Sequence, residues 1–328
     1  MMYLLLFCSI LIAASLLIVY AMVLYLSHNP RKPFPLELRY YTNDDKQMLH
    51  ELPPTINSTL STFEDHGIDI SIVIPCFNET NRLGKMLNEA IEYLQKNYLN
   101  AYEILIVDDG SSDGTAEFAL MKAQELKLPP HILKVIKLQK NRGKGGAVTH
   151  GLLHCSGRLA LFADADGATK FQDIERLIEY LDSVDRNEAA VTIGSRAHMV
   201  NTDAVVRRSF IRNFLMYGLH TLVFLFGIRG IQDTQCGFKM FNFQSIQKIF
   251  PHMHTERWIF DVEVLLLGEI QGMKMKEIAV NWKEVDGSKI DLARDSIGMA
   301  VDLVVTRLAY LMGIYKVDEC GGLTKKDQ

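Results

Sequence analysis

Two aspartates separated by one residue, Asp164 and Asp166, directly follow the apolar residues 161–163. Alternate residues of an extended chain point to the same side, so the two carboxylates would converge. Converging carboxylates repel each other and are costly to desolvate unless a cation joins them. Proteins bind Mg²⁺ or Mn²⁺ through carboxylates together with phosphate oxygens and water. The pattern therefore indicates a divalent-metal site, although by itself it is equally consistent with an exposed acidic turn.

A second acidic turn, Asp108-Asp109-Gly110-Ser111, follows the apolar residues 104–107. Carboxylates at the end of a strand can accept hydrogen bonds from the N–H groups of a base or from ribose hydroxyls. Asp-Gly pairs are also common in solvated turns. Taken alone, this turn therefore indicates either a nucleoside site or an ordinary surface loop.

A glycine-rich stretch at residues 140–147 joins a predicted strand to a predicted helix and contains Lys144. Its backbone N–H groups and its cations could bind an anion such as phosphate. The stretch is not a Walker A loop, because no glycine stands five residues before Gly143 and no Ser or Thr follows Lys144. It is not a dinucleotide fingerprint, because Val148 stands where a third glycine is needed. A simple glycine-rich turn remains the alternative.

The elements that must position these residues alternate between strand and helix patterns from residue 70 onward. The predicted strands cover residues 70–75, 103–107, 131–138, 158–163 and 189–193. The predicted helices cover residues 82–97, a stretch after an N-cap at Ser112 or Asp113, 145–155 and 174–184. This alternation indicates an α/β fold with a mostly parallel sheet, helices on both faces, and ligands at the carboxyl ends of the strands.

Residues 3–26 form an uncharged run in which only Ser9 and Ser15 are polar. A helix of that length is about 36 Å long and can span the hydrocarbon core of a bilayer. The alternative, a cleaved signal peptide, requires a basic start, a shorter apolar region and a small-residue cleavage site. We expect an uncleaved anchor. Because Arg31, Lys32 and Arg39 follow the run, the positive-inside rule predicts a cytosolic domain.

The composition supports a folded domain in a reducing compartment. The chain has 328 residues, 48% of them apolar, and a net charge of −4, which argues against a nucleic-acid binder and against a disordered chain. Its five cysteines include no C-x-x-C pair, which argues against a disulfide framework and a zinc site. Two glycosylation sequons begin at Asn57 and Asn78, and cytosolic residence would leave both unmodified.

Proline-rich residues 27–68 are predicted to be a linker between the anchor and the domain. Residues 69–315 are predicted to form one folded domain, and residues 316–328 a polar tail. A long helical stretch at 205–228 is almost wholly apolar over 214–228, and 297–315 is a second apolar helix. Both are too short or too interrupted to span a bilayer, so each is either a buried core helix or an amphipathic helix at the membrane interface.

Together these motifs resemble a known family. Residues 72–79 (IVIPCFNE), the turn at 108–111 and Asp164-Ala165-Asp166 are similar, in order and spacing, to the nucleotide-sugar domain of family 2 inverting glycosyltransferases, which have the Rossmann-like GT-A fold. Longer strings, at residues 141–147, 163–170, 194–198, 233–239 and 285–289, resemble the dolichyl-phosphate β-glucosyltransferase subgroup of that family. The resemblance covers essentially the whole chain. It implies that residues 69–200 form the nucleotide-sugar-binding part of the domain and residues 201–315 its acceptor-side, membrane-proximal part.

The resemblance implies a role for each matching residue. The residues around uridine and the donor diphosphate would be Pro75, Phe77, Glu79, Asp108, Asp109, Lys144 and Asp164. The metal ligands would be Asp164 and Asp166, and the catalytic set would add Arg196 and Asp233. The candidates for binding the acceptor phosphate are Arg196, Arg207, Arg208, Arg212 and Trp258. The implied cofactor is a divalent metal, Mg²⁺ or Mn²⁺.

The reaction implied by the resemblance is transfer of glucose from UDP-glucose to dolichyl phosphate with inversion, in service of protein N-glycosylation. The implied location is the endoplasmic reticulum membrane, with one membrane pass and membrane lipid as a further partner. Two alternatives remain open from the residues: a dolichyl-phosphate mannosyltransferase using GDP-mannose, and a non-catalytic, membrane-anchored protein that binds nucleotide sugars.

Overall fold

The structure, a computed structural model, describes residues 1–44, 48–56, 67–199, 228, 230–285 and 292–317. Three of the acceptor-phosphate candidates, Arg207, Arg208 and Arg212, lie outside the described residues. So do residues 205–227 of the first apolar stretch, residues 286–289 of the last motif, and the sequon at Asn57.

A seven-stranded sheet forms the centre of the domain. The strands of the described chain are β1 (Arg39–Tyr40), β2 (His50–Glu51), β3 (Ile70–Cys76), β4 (Tyr102–Asp108), β5 (Leu133–Lys137), β6 (Leu159–Ala163), β7 (Ala190–Ser195), β8 (Phe238–Asn242) and β9 (Lys274–Ala279). The large sheet has the order β5-β4-β3-β6-β8-β7-β9, and β1 and β2 form a separate antiparallel pair. Within the large sheet β8 runs antiparallel to both neighbours, whereas the other pairings are parallel.

Helices cover both faces of this sheet. The described helices are α1 (Met2–Leu26), α2 (Thr80–Tyr98), α3 (Thr115–Glu125), α4 (Lys144–Leu153), α5 (Ile174–Ser183), α6 (Phe243–Ile249), α7 (Phe260–Ile270) and α8 (Leu292–Leu311). One apolar core packs α2, α3 and α5 against the sheet, and a second packs α4, α6 and α7 against the opposite face. The two cores exist because consecutive strand residues point to opposite faces, and strands buried on both faces are apolar throughout.

The predicted fold class is confirmed, and the five predicted strands are present as β3 to β7. Several helix boundaries differ from the prediction by one or two residues: helix α2 begins at Thr80 and ends at Tyr98, and α5 ends at Ser183. Helix α3 begins at Thr115 after the left-handed Gly114, while the Asp113 carboxylate accepts the Thr115 N–H at 3.0 Å. Helix α4 ends at Leu153, because His154 leaves the helical conformation. Strands β8 and β9 lie beyond the last strand that the sequence pattern predicted.

Helix α1 is the one helix of the described chain that is long and apolar enough to cross a membrane, and none of its most apolar window is buried. Near its end, Val23 packs against Val305 and Ala309 of α8. Helix α8 divides its two sides between the domain and the outside: Leu303 is buried in the second core, whereas Ile297 and Val301 are exposed. The second apolar segment of the sequence is thus both a core helix and an apolar surface.

The residues after α1 pack on the domain over part of the predicted linker. Pro35–Leu38 forms a 3₁₀ turn, and β1 and β2 pair with each other directly after it. The Glu37 side chain in that turn is completely buried. Part of the described chain between α1 and β3 therefore packs against the domain.

Candidate functional site

Asp164 and Asp166 lie at the carboxyl end of β6. Asp164 accepts a hydrogen bond from the Lys144 ammonium at 2.7 Å, and its backbone N–H donates to the Gly237 carbonyl at 3.0 Å. Asp166 accepts the Ala168 N–H at 3.0 Å. Burial and the charge of Asp164 raise the pKa of Asp166. A divalent cation would offset the repulsion between two neighbouring carboxylates, so Asp164 and Asp166 fit a metal.

The glycine-rich stretch brings Lys144 to this pair. Gly143 has φ +86°, and a Cβ there would lie 2.6 Å from the Glu256 carbonyl oxygen, so both the backbone and the space require glycine. Lys144 is the first residue of α4, and its ammonium lies 5.1 Å from the Phe162 ring centroid and 5.8 Å from that of Trp258. Lys144, Asp164 and Trp258, which are far apart in sequence, therefore meet at one place.

Backbone N–H groups surround the acidic turn at the end of β4. Both oxygens of Asp109 accept backbone N–H bonds from the glycine-rich stretch, from Arg142 at 2.6 Å and from Gly143 at 2.8 Å. Burial raises the pKa of Asp109 to about 7 despite these donors. Asp108 is also buried and accepts the Ser111 N–H at 3.1 Å, and burial raises its pKa.

The turn after β3 lies beside the turn after β4. Pro75 is in β3, and Phe77 follows with 40% of its surface exposed. Glu79 forms a bidentate pair with Arg82 at 2.5 and 2.7 Å, and Arg82 in turn lies 4.0 Å from an Asp166 oxygen. Glu79 therefore orients a cation that faces the carboxylate pair.

Arg196 and Asp233 form the opposite side of the site. The Arg196 guanidinium donates to both oxygens of Asp233 at 2.7 and 2.8 Å, and its backbone N–H donates to the same carboxylate at 2.8 Å. Burial opposes ionisation of Asp233, but the Arg196 hydrogen bonds outweigh it and lower the pKa of Asp233. Glu277 accepts the Asp233 N–H at 2.8 Å. The pair is thus fixed at both ends.

A pocket lies between these two sides. It is lined by Asp164, Asp166, Arg196, Met86, Phe238 and Trp282. The pocket carries both signs of charge, with the acidic pair on one side and the Arg196 guanidinium on the other. The guanidinium lies 5.5 Å from the Trp282 ring centroid. Such a pocket can hold a cation and an anionic group next to each other.

Sequence reasoning missed several residues that build this site. Arg82, Glu277 and Trp282 all contact predicted site residues or line the pocket. Trp282 had a usable signal, because the chain contains only two tryptophans and both lie within 6 Å of a site cation. Beneath the site, a buried ion pair joins Lys239 to Asp261, and the Lys239 ammonium lies 6.0 Å from the Phe162 ring centroid. No pattern of spacing distinguished that pair.

Comparison with known proteins assigns the chain to a family. The profile described as glycosyl transferase family 2 matches residues 71–250, more than half of the chain. The chain belongs to glycosyl transferase family 2. The matched range contains both acidic turns, the glycine-rich stretch and the Arg196–Asp233 pair of this family 2 member.

Curated relatives narrow the position within family 2. The chain is 51% identical over 93% of both chains to a dolichyl-phosphate beta-glucosyltransferase of Saccharomyces cerevisiae. It is 45% identical to one of Dictyostelium discoideum, over 76% of this chain and 77% of that protein. The resemblance to the dolichyl-phosphate β-glucosyltransferase subgroup is therefore confirmed.

One solved structure supports the fold of the family 2 member. A mannosyl-3-phosphoglycerate synthase from Rubrobacter xylanophilus superposes with a TM-score of 0.52 at 19% identity, over 80% of this chain and 79% of that one. This likeness concerns the fold alone. The chain has a GT-A-like fold with a mostly parallel central sheet, as the sequence motifs predicted.

Proposed function

We propose that the protein transfers glucose from UDP-glucose to dolichyl phosphate, releasing UDP and dolichyl β-D-glucosyl phosphate. The observation that carries the proposal is 51% identity, over nearly the whole chain, to a dolichyl-phosphate beta-glucosyltransferase. The intact carboxylate pair, with Lys144 and Arg196 on either side of it, supports a working transferase site.

The donor diphosphate would lie at the carboxyl end of β6. Asp164 and Asp166 would hold Mg²⁺ or Mn²⁺, which offsets the charge on the leaving diphosphate. Lys144, whose ammonium now pairs with Asp164 at 2.7 Å, would add a positive charge beside the same phosphates. The turns that contain Phe77 and Asp108 end at this edge of the sheet, so the uridine would lie against them.

An oxygen of the acceptor phosphate would attack C1 of glucose from the face opposite UDP. The C1–O bond to the diphosphate breaks, and the α linkage becomes β. A phosphate monoester is already ionised at neutral pH, so no protein base is needed. The lowered pKa of Asp233, where hydrogen bonds from Arg196 outweigh burial, fits a residue that positions Arg196 rather than one that accepts a proton.

The acceptor phosphate needs cations because it must approach a second dianion. Among the described residues, Arg196 is a candidate for this cation, since it lines the pocket and a third of its side chain is exposed. Arg207, Arg208 and Arg212 remain candidates on sequence grounds, and Trp258 lies close to Lys144.

The location proposed is the endoplasmic reticulum membrane, with α1 as a single anchor and the catalytic domain in the cytosol. Basic residues directly after α1 support this orientation. The exposed Ile297 and Val301 on α8, which packs beside the end of α1, would face the lipid surface where the acceptor resides.

The deciding experiment incubates the full-length protein in detergent micelles with dolichyl phosphate, a divalent metal and radiolabelled UDP-glucose or GDP-mannose. Label should appear in a glucosylated lipid from UDP-glucose only. Transfer from GDP-mannose instead would establish the mannosyltransferase alternative. Binding of UDP without turnover of either donor would establish the non-catalytic alternative.

A further inference from the structure

The segment directly after the membrane anchor contacts the stretch that precedes Lys144. Within it, Arg31 and Glu37 form a bidentate ion pair at 2.6 and 2.7 Å, which we term the juxtamembrane clasp. Helix α1 ends at Leu26, so the clasp begins five residues after the helix. The clasp lies outside the pocket, so its residues do not contact the donor or the acceptor there.

The clasp is built into the interior of the domain. The Glu37 side chain has no exposed surface and also accepts backbone N–H bonds from Phe34 at 2.9 Å and Gln139 at 2.7 Å. Four donors thus converge on one carboxylate. A buried charge satisfied in this way is costly to disrupt, because removing one partner leaves the others unpaired.

The clasp also holds the stretch that leads to Lys144 at several points. Arg31 donates to the Lys140 carbonyl at 3.2 Å, and Arg142 donates to the Arg31 carbonyl at 3.2 Å. A ring nitrogen of His150 on α4 lies 2.7 Å from the Glu37 carbonyl oxygen. The juxtamembrane segment therefore contacts both the approach to α4 and α4 itself.

We propose that the juxtamembrane clasp positions the 139–143 stretch, and through it Lys144, for binding the donor diphosphate. This inference rests on the proposed function, since it requires a nucleotide-sugar site at Asp164. Glu37 and Arg31 are positioning residues and touch no substrate. The membrane anchor is thereby connected mechanically to the donor site and does more than retain the enzyme at the bilayer.

The test compares Glu37→Gln with Glu103→Gln in the full-length protein. Glu103 is a matched control: it is buried, it accepts from Lys134 at 2.5 Å and from Ser71 at 2.6 Å, and it lies near the amino end of β4, opposite to the site. The dissociation constant of UDP with saturating metal, both KM values, kcat and the melting temperature are measured for each variant.

Both substitutions should lower the melting temperature, but only Glu37→Gln should weaken the binding of UDP. We expect its UDP dissociation constant and its KM for UDP-glucose to rise about 5- to 10-fold, as for loss of a charge-assisted contact that orients a binding group. The KM for dolichyl phosphate should not change. Arg31→Lys keeps the charge that follows the anchor but loses the bidentate geometry, and should raise the UDP dissociation constant about 2- to 3-fold.

The inference would be overturned if Glu37→Gln bound UDP as tightly as the wild type does, or if Glu103→Gln lost as much UDP affinity as Glu37→Gln. If Glu37→Gln fails to fold, Arg31→Lys decides, and unchanged UDP affinity in that variant would overturn it equally. A wild-type protein that does not bind UDP would refute the proposed function and this inference together. Normal UDP binding by the wild type and by both clasp variants would refute the inference alone.

Discussion

Individual carboxylates in this site have different tasks that their sequence context does not reveal. Asp109 looks like a ligand residue in the sequence, yet both its oxygens are taken by backbone N–H groups. Asp166 makes a single backbone contact and faces the charge of Asp164. The difference follows from which donors surround each side chain.

Replacing Asp166 should abolish transfer without unfolding the domain. Asp166→Ala removes one proposed metal ligand, and we expect kcat/KM to fall at least about 100-fold, as for loss of a group that stabilises developing charge. The melting temperature should stay the same or rise, because a repulsion with Asp164 is relieved. Asp182→Ala, which removes an exposed carboxylate on α5, is the control. Full activity of Asp166→Ala, or of the wild type in excess chelator, would contradict the metal site.

Asp109 should make stability depend on pH. Burial raises the folded-state pKa of Asp109 to about 7, above its ordinary value. The protonated carboxyl therefore contributes to the free energy of unfolding at low pH, and this contribution is lost as the pH rises through 7. The melting temperature should therefore fall more between pH 5.5 and 8 in the wild type than in Asp109→Asn.

The control for this pH effect is Asp113→Asn. Hydrogen bonds from Thr115 and Thr80 outweigh burial and lower the pKa of Asp113, so it ionises below the pH range measured. Its melting curve should keep the wild-type pH dependence. Identical slopes in the wild type and Asp109→Asn would show that Asp109 does not titrate there.

Arg207 and Arg208 should affect the kinetics of the acceptor substrate. The double variant Arg207→Ala/Arg208→Ala should raise the KM for dolichyl phosphate about 10-fold or more, since Arg binds phosphate bidentately. The KM for UDP-glucose should not change. The exposed Arg186, replaced by Ala, is the control. Unchanged acceptor kinetics in the double variant would exclude these two residues.

At the scale of elements, the site depends on the close approach of two antiparallel strands. The residue before β8, Gly237, accepts the Asp164 N–H through its carbonyl, and β8 pairs with β6 along its whole length. A Cβ at Gly237 would lie 1.9 Å from an Asp164 carboxylate oxygen. The absence of a side chain at this position is what leaves room for the carboxylate.

Gly237→Ala should therefore displace Asp164 and lower kcat/KM about 100-fold, the scale expected for misplacing a reacting group by about 1 Å. The matched control is Gly298→Ala on α8, where a Cβ meets nothing within 4 Å. Steady-state kinetics on both variants check the prediction. Near-normal activity of Gly237→Ala would mean that Asp164 can move without cost to transfer.

In the molecule as a whole, an apolar surface lies beside the end of α1. Helix α8 packs on the end of α1 through Val305 and Ala309, and it reaches the second core through Leu303. The remaining apolar side of α8 is exposed at Ile297, Val301 and Leu311. A surface of this kind beside a membrane anchor fits contact with lipid.

The double variant Ile297→Asn/Val301→Asn should weaken use of membrane-embedded acceptor. We expect kcat/KM for dolichyl phosphate in vesicles to fall about 10-fold, or about 1.4 kcal/mol, because shallow contact with lipid captures only part of the about 1.5–3 kcal/mol that full burial of each side chain contributes. UDP affinity should stay constant. Met121→Asn changes an equally exposed apolar residue on α3 and should have no effect. Equal kinetics in all three proteins would show that this face does not meet the membrane.

The sequence by itself determined the alternation of strands and helices, the apolar N-terminal helix and the acidic turns that end β4 and β6. These features depend on local periodicity and on residue type, which a single chain displays directly. The motifs also determined the family, since their order and spacing are preserved. Trp282, with its rarity, was within reach of the same reasoning.

Only the tertiary structure decided which charges meet. The contact of Lys144 with Asp164 spans 20 residues, the Arg196–Asp233 pair 37, and Arg142 with Glu256 spans 114. Strand β8 enters the sheet between β6 and β7, out of chain order, and thereby brings Gly237 beside Asp164. The clasp between Arg31 and Glu37 has no sequence signal, because a buried carboxylate is identified by the donors that the fold brings to it.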